Sequence, residues 1–267
     1  MKSATGRLYR FYSSFAPDFV ATLFVPLVFQ QILDKGKHKG KMQAVDRDGI
    51  RYSEFTKDDY DLALDMVSKD FFTRDPVVST APAVAGAPES TQELTSIFLD
   101  VCFQDALSVK AMDMKNGPVL AGVLLSHISW KDSEDPMKRE LKRRKERISE
   151  GIMEMMEVLY SANSKTPDVF RHYGVDEMAF LYFMNVRKEY AGRGIAKELV
   201  RLSLNRFRVE GIKVVKAVVT NPITEHIVRQ FGFEQLAQLP VGEFTFRGEP
   251  FFLAEPDTTV SYFIKRS

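Results

Sequence analysis

The stretch from Met178 to Ala196 constrains the fold more than any other. An almost unbroken apolar run, Met178 to Val186, gives way to Gly192 and Gly194 and then to a helical pattern in which Ile195, Leu199 and Leu202 face inward. A run that apolar reads as a strand buried on both faces in the middle of a sheet. The glycines let the backbone approach a ligand closely, and the first amides of a helix have no intrahelical partner, so several N–H groups can converge on an anion such as a diphosphate. The candidate anion loop runs through Ala191, Gly192, Arg193, Gly194, Ile195 and Ala196. Lys197 stands where a dinucleotide fingerprint needs its third glycine, and no Gly-Lys-Ser/Thr follows, so Rossmann and P-loop readings both fail on spacing.

Around this unit the chain alternates helical and strand patterns. Ile50 to Phe55 reads as a strand, and Thr56 with Asp59 as a capping box before a helix whose face is Tyr60, Leu64, Val67 and Phe71. A second box, Ser90 with Glu93, opens a helix expected to reach about Ala106, after an Ala-, Pro- and Val-rich loop from Val77 to Pro88. Val109 to Met114 and Val119 to Ser129 flank Lys115-Asn116-Gly117-Pro118, a hairpin signal. Pro136 to about Ala162 reads as one helix whose basic residues, interrupted by Glu140 and Glu146, form a solvated face, since no aromatics interleave them. Lys213 to Val219 is a second buried strand, and Pro222 starts a short helix that ends at Gly232.

Composition bounds the rest. At 267 residues the chain accommodates one α/β domain of about 200 to 220 residues with an appendage. A net charge of +1 provides no overall field for nucleic acid or anionic lipid, so a polyanion must be met locally. Cys102 is the sole cysteine, which excludes an internal disulfide or thiolate cluster and fits the reducing cytoplasm; the four histidines show no metal spacing. No metal and no nucleic-acid partner are expected, and the chain reads as a monomer.

The expected division is an extension over residues 1–48 and one domain over 49–267. Within the extension, Phe19 to Leu33 is apolar but contains Pro26 and falls short of the roughly 17 to 25 residues of a spanning helix. A helix packed on the domain, a transit peptide and a membrane-associated segment remain open there. Lys35 to Lys41 reads as a linker.

Gly194-Ile195-Ala196 resembles the second half of the phosphate loop of the GNAT N-acetyltransferase superfamily, Gln/Arg-x-x-Gly-x-Gly/Ala. Ala191 stands where Gln or Arg is usual. Asn221 and the Gly232-Phe233 pair match the next motif, whereas the family's frequent tyrosine, the acid that reprotonates the CoA thiolate, falls at Val228 and is missing. Three stretches narrow the resemblance to the insect and nematode arylalkylamine N-acetyltransferase-like group: Phe71-Phe72-Thr73-Arg74-Asp75-Pro76, Val169 to Val175, and Leu239-Pro240-Val241 through Gly248-Glu249-Pro250.

The resemblance implies an α+β fold with a mixed, mostly antiparallel sheet splayed at its central strand, helices on both faces, and acetyl-CoA in the splay. It further implies that Met184, Asn185 and Val186 pair with pantetheine and position the thioester carbonyl, that Ala191 to Ala196 with Asn221 hold the cofactor, and that Asp75 is the general base with Thr220 and Thr224 as catalytic hydroxyls. Asp75 is one carbon shorter than the usual Glu. The implied reaction is direct acetyl transfer to the primary amine of a small arylalkylamine. Polyamine or amino-acid acceptors suit the same loop, and Ala191, Val228 and the shortened carboxylate motivate a rival, an acyl-CoA-binding protein without turnover.

Overall fold

The computed structural model describes residues 42–85, 88–115 and 117–266. Phe19 to Leu33, the Lys35 to Lys41 linker and Asn116 of the hairpin therefore lie outside the described residues. Eight strands form one sheet in the order β1-β2-β3-β4-β5-β6-β10-β7. They are β1 (Val45–Arg47), β2 (Ile50–Glu54), β3 (Val109–Asp113), β4 (Val119–Trp130), β5 (Glu177–Val186), β6 (Val214–Val219), β7 (Glu234–Pro240) and β10 (Thr259–Arg266), with β8 (Thr245–Phe246) and β9 (Glu249–Pro250) as a separate hairpin. Only β5 and β6 run parallel. The sheet is thus mixed and mostly antiparallel, as expected. Strand β1 falls within the segment read as the extension, and it pairs with β2 through Val45 and Tyr52.

Helices cover both faces. On one lie α1 (Tyr60–Met66), α2 (Phe72–Arg74), α3 (Pro88–Gln104), α4 (Pro136–Arg143) and α5 (Glu150–Ser164), whose Met66, Phe72, Leu94, Ile97 and Met155 pack with Val123, Leu125 and Phe183 of the sheet. On the other lie α7 (Ile195–Val209) and α8 (Pro222–Gln230), while α6 (Val169–Tyr173) packs at the sheet end with Met178 and Ile264. The alternation of β4 decides the layering: Leu120, Val123 and Leu125 enter the first core, Ala121 and Leu124 the second. Ile195, Leu199 and Leu202, the stripe expected of α7, are all buried against that second core, each contributing on the order of 1.5–3 kcal/mol.

Two of three local expectations change. Thr56 and Asp59 do form their box, with Asp59 accepting from the Thr56 amide at 2.7 Å, and α1 follows. Ser90, expected to start a helix, falls inside α3, which already begins at Pro88, and Glu93 accepts the Ser149 amide at 3.1 Å at the N-terminus of α5. The helix expected over residues 136–162 breaks after Arg143, because a tight turn at Lys145–Arg147 and extended Ile148 divide α4 from α5. Arg143 and Arg144 both pair with Glu140, and Arg144 and Arg139 also reach α3, at Asp100 and Gln104.

No helix among the described residues is long and apolar enough to cross a membrane. Gly122 in β4 sets how closely α7 can approach the sheet: a Cβ there meets the Asn185 carbonyl and Val186 Cγ2 at 3.1 Å and Ile195 Cγ2 at 3.2 Å. Gly122→Ala should therefore destabilise the fold by about 1–3 kcal/mol. An unchanged urea midpoint would contradict that close approach.

Candidate functional site

The site begins with a defect in strand pairing. Strand β5 pairs with β6 only at Ala179, Phe180 and Leu181, while on its other side it follows β4 as far as Val186. The β4–β5 register skips Tyr182, immediately after the last β6 partner. Such a bulge bends a strand and increases its twist. Beyond it the β6-facing backbone of β5 has no strand partner, and a groove of about 640 Å³ opens between the end of β5, the glycine loop and the segment Asn221 to Ile227 that follows β6.

Nine of the ten residues expected to hold the cofactor line this groove: Met184, Asn185, Val186, Ala191, Gly192, Gly194, Ile195, Ala196 and Asn221. Gly192 and Gly194 take φ of +76° and +75°, the left-handed region, and Gly194 caps α7 without a side-chain acceptor for the first amides. Those amides are free to meet an anion at the positive end of a 15-residue helix. Asn221 has a structural task as well, since its Oδ1 accepts the Thr224 amide at 2.8 Å and caps α8.

Arg193 is the exception. Its guanidinium lies 5.1 Å from the Tyr190 ring centroid and donates to the Asp48 carbonyl at 3.4 Å, so the side chain is turned to the β1–β2 corner and does not line the groove. Two cations not expected there do line it, Lys197 in the first turn of α7 and Arg74. Arg74 donates to the Val186 carbonyl at 2.9 Å and to Asn185 Oδ1 at 2.8 Å while pairing with Asp70 at 2.5 Å. The only available signal for Arg74 was its place beside Asp75. Gly-rich backbone, open amides and two cations are a donor set that fits a coenzyme diphosphate.

At the inner end of the groove the structure brings Asp75 and Thr220 together. A π-helical turn at Val67–Phe71 leads into α2 and delivers Asp75 to the junction. Asp75 is buried; its Oδ1 accepts the amides of Val77 and Val78 at 3.0 and 2.8 Å, and its Oδ2 accepts the Thr220 hydroxyl at 2.5 Å. Thr224 stands one helical turn away on α8 and, with Asp75 and Asn221, lines both the groove and a second space behind it.

That second space is a cavity of about 260 Å³ walled by aromatic residues. Phe71 and Phe98 each stand 4.5 Å from Phe183, Phe98 lies 5.0 Å from Tyr182, and Phe180 lies 4.9 Å from Tyr182. Burial pushes the Tyr160 and Tyr182 hydroxyls well up, keeping both neutral, and pulls buried His127 down, against the opposing pull of Asp135. Lys216, from the middle of β6, also lines the cavity. Burial pulls its ammonium down to about 8, with Asp135 acting the other way.

The comparisons bear on this arrangement. Residues 166–233, which hold the central strand, the glycine loop, α7, β6 and α8, match the model of the acetyltransferase (GNAT) family. A search of curated proteins finds no match. Among solved structures, arylalkylamine N-acetyltransferase 2 from Aedes aegypti is 22% identical, with a TM-score of 0.68 over 82% of this chain and 99% of that one. A Drosophila melanogaster polyamine N-acetyltransferase is 14% identical, TM-score 0.65, over 82% and 100%. An agmatine N-acetyltransferase is 13% identical, TM-score 0.68, over 82% and 100%. At these identities the likeness is one of fold, and the GNAT fold anticipated from the loop is the fold observed.

The geometry of the groove and of the cavity sets two outcomes. Gly194→Glu, which forces a side chain into left-handed backbone and sets a negative charge beside the open amides, should weaken acetyl-CoA binding by at least about 100-fold in calorimetry. Retained affinity would remove the loop from the site. For Lys216 the folded pKa of about 8 lies below the ordinary 10.5, so the unfolded chain binds the extra proton between those values. The urea midpoint of wild type should therefore rise relative to Lys216→Met as pH climbs from 8 to 10.5; parallel curves would show that Lys216 is not buried.

Proposed function

We propose that the protein transfers the acetyl group of acetyl-CoA to the primary amine of a small arylalkylamine by direct attack. The observation that carries this reading is the continuity of the two spaces: a groove with an anion-binding loop meets an aromatic cavity at Asp75, Thr220 and Thr224. The arylalkylamine N-acetyltransferase among the structures of like fold supports the acceptor class.

In this reading the diphosphate lies against the amides at Gly194 to Ala196, with Lys197 and Arg74 beside it, and the thioester end reaches the junction. The amine must be neutral to attack. Because Thr220 already donates its own proton to Asp75, its oxygen presents lone pairs to the amine. As nitrogen bonds to the carbonyl carbon, the amine proton passes to the Thr220 oxygen and the Thr220 proton to Asp75. The carbon–sulfur bond then breaks, and the proton held by Asp75 returns through the Thr220 hydroxyl to the thiolate, beside Thr224, so that Asp75 is again a carboxylate. Cys102 is fully buried with its thiol pushed well up by burial, so no acyl-enzyme is invoked.

One observation favours a second reading, binding without turnover. All three hydrogen bonds to Asp75 are also what a purely structural cap would show, and Val228, the position of the missing tyrosine, is a buried aliphatic.

Thr220→Val separates the two, since it keeps shape and leaves the Asp75 amide contacts in place. The enzymatic reading predicts a fall in kcat of about 10² to 10⁴, with acetyl-CoA affinity nearly unchanged. Asp75→Ala should lower turnover most at pH values where the amine is protonated. Thiol release by wild type across arylalkylamines, polyamines and amino acids is the accompanying measurement. Binding with no release on any amine would favour the non-catalytic reading.

A further inference from the structure

A lysine in the middle of a buried strand needs a reason. Lys216 is the one basic side chain among the described residues lining the aromatic cavity. Its Nζ donates one hydrogen bond, to Asn163 Oδ1 at 2.7 Å, and is flanked by the rings of Tyr262 at 5.3 Å and Phe180 at 5.9 Å. An ammonium carries three donors. No described carboxylate forms an ion pair with it, so two N–H groups remain for something in the cavity.

Of the two carboxylates that line the same space, Asp75 is engaged through both oxygens and Asp135 through Oδ1 alone. Asp75 receives two amides and the Thr220 hydroxyl. Asp135 caps α4 by accepting the Lys138 amide at 3.0 Å, and accepts the Tyr160 hydroxyl at 2.9 Å. The spare donors that carry positive charge in the cavity are therefore the two open N–H groups of Lys216.

Register places those donors at the far end from the chemistry. Lys216 lies in β6 and Thr220 directly follows its end, four residues on, about 13 Å between Cα atoms at ~3.3 Å per residue, a span that the lysine side chain shortens. Phe180, the cross-strand partner of Lys216, and Tyr182 wall the cavity. We infer that the acceptor is an arylalkylamine whose end opposite the amine carries a carboxylate or another anionic oxygen group, held by Lys216. This rests on the cavity being the acceptor site of the proposed reaction. A charged oxygen acceptor completes the ammonium's hydrogen bonds in a site with little water, whereas the second cation of a polyamine or agmatine would meet Lys216 as a like charge. Lys216 thus acts in specificity and takes no part in the proton transfer.

The test is equilibrium binding to the full chain of three amines: 4-(2-aminoethyl)benzoate, tyramine and agmatine. It is run with wild type and with Lys216→Met, a replacement of similar length that removes the charge. Wild type should bind the benzoate at least about 10-fold more tightly than tyramine, and agmatine most weakly. Lys216→Met should erase the benzoate preference while leaving tyramine within about twofold. Equal affinities for benzoate and tyramine in wild type, or tightest binding of agmatine, would overturn the inference without any variant. A benzoate preference that survives in Lys216→Met would overturn the role of the lysine. Thiol release with the same amines is recorded separately: the expected binding order without release would count against acetyl transfer and leave the anionic subsite standing.

Discussion

Everything at the site depends on the parting of two parallel strands after Leu181. Three residue pairs hold β5 to β6, a bulge at Tyr182 turns β5 aside, and the backbone beyond it is left without a partner strand. Unpaired strand backbone is costly inside a core but useful at a groove, where a ligand can take its hydrogen bonds. The splay creates the groove on one side and gives the aromatic cavity its opening on the other. Closure by a continuous β5–β6 ladder would remove both.

The parting is held open from two directions. Gly122 lets the start of α7 sit against the end of β5, which fixes the glycine loop over the groove. From the opposite layer, the π-turn before α2 delivers Arg74 to the Val186 carbonyl and Asp75 to Thr220, so one short segment bridges to the ends of both strands. The energies are those of individual charge-assisted hydrogen bonds, roughly 1.5–3 kcal/mol each. They are local, but they are made at the only place where the two strands lack each other.

Much of this was legible in the sequence because its signals are local. The apolar run from Met178, the two glycines and the α7 stripe each carry their conformation within a few residues, and each forms the element expected of it, while the strands flanking Lys115 to Pro118 pair antiparallel as expected. Asp75, Thr220 and Thr224 came from resemblance, and the contact of the first two is a tertiary fact that no spacing encodes. The misreading at Arg193 has a physical cause: it is a plausible phosphate ligand until Tyr190 and Asp48 claim it. Lys216 had a visible signal, a charge inside the apolar run Val214 to Val219, but its meaning appears only once Asn163 and the aromatic walls surround it.

The central claim is that the strand splay and the loop above it form the acetyl-CoA site, and amide hydrogen exchange with and without acetyl-CoA tests it most directly. The account predicts slowed exchange confined to the unpaired backbone from Tyr182 to Val186, the amides from Gly192 to Lys197 and the start of α8. Binding that leaves those amides exchanging as before, or protects a different part of the chain, would contradict it.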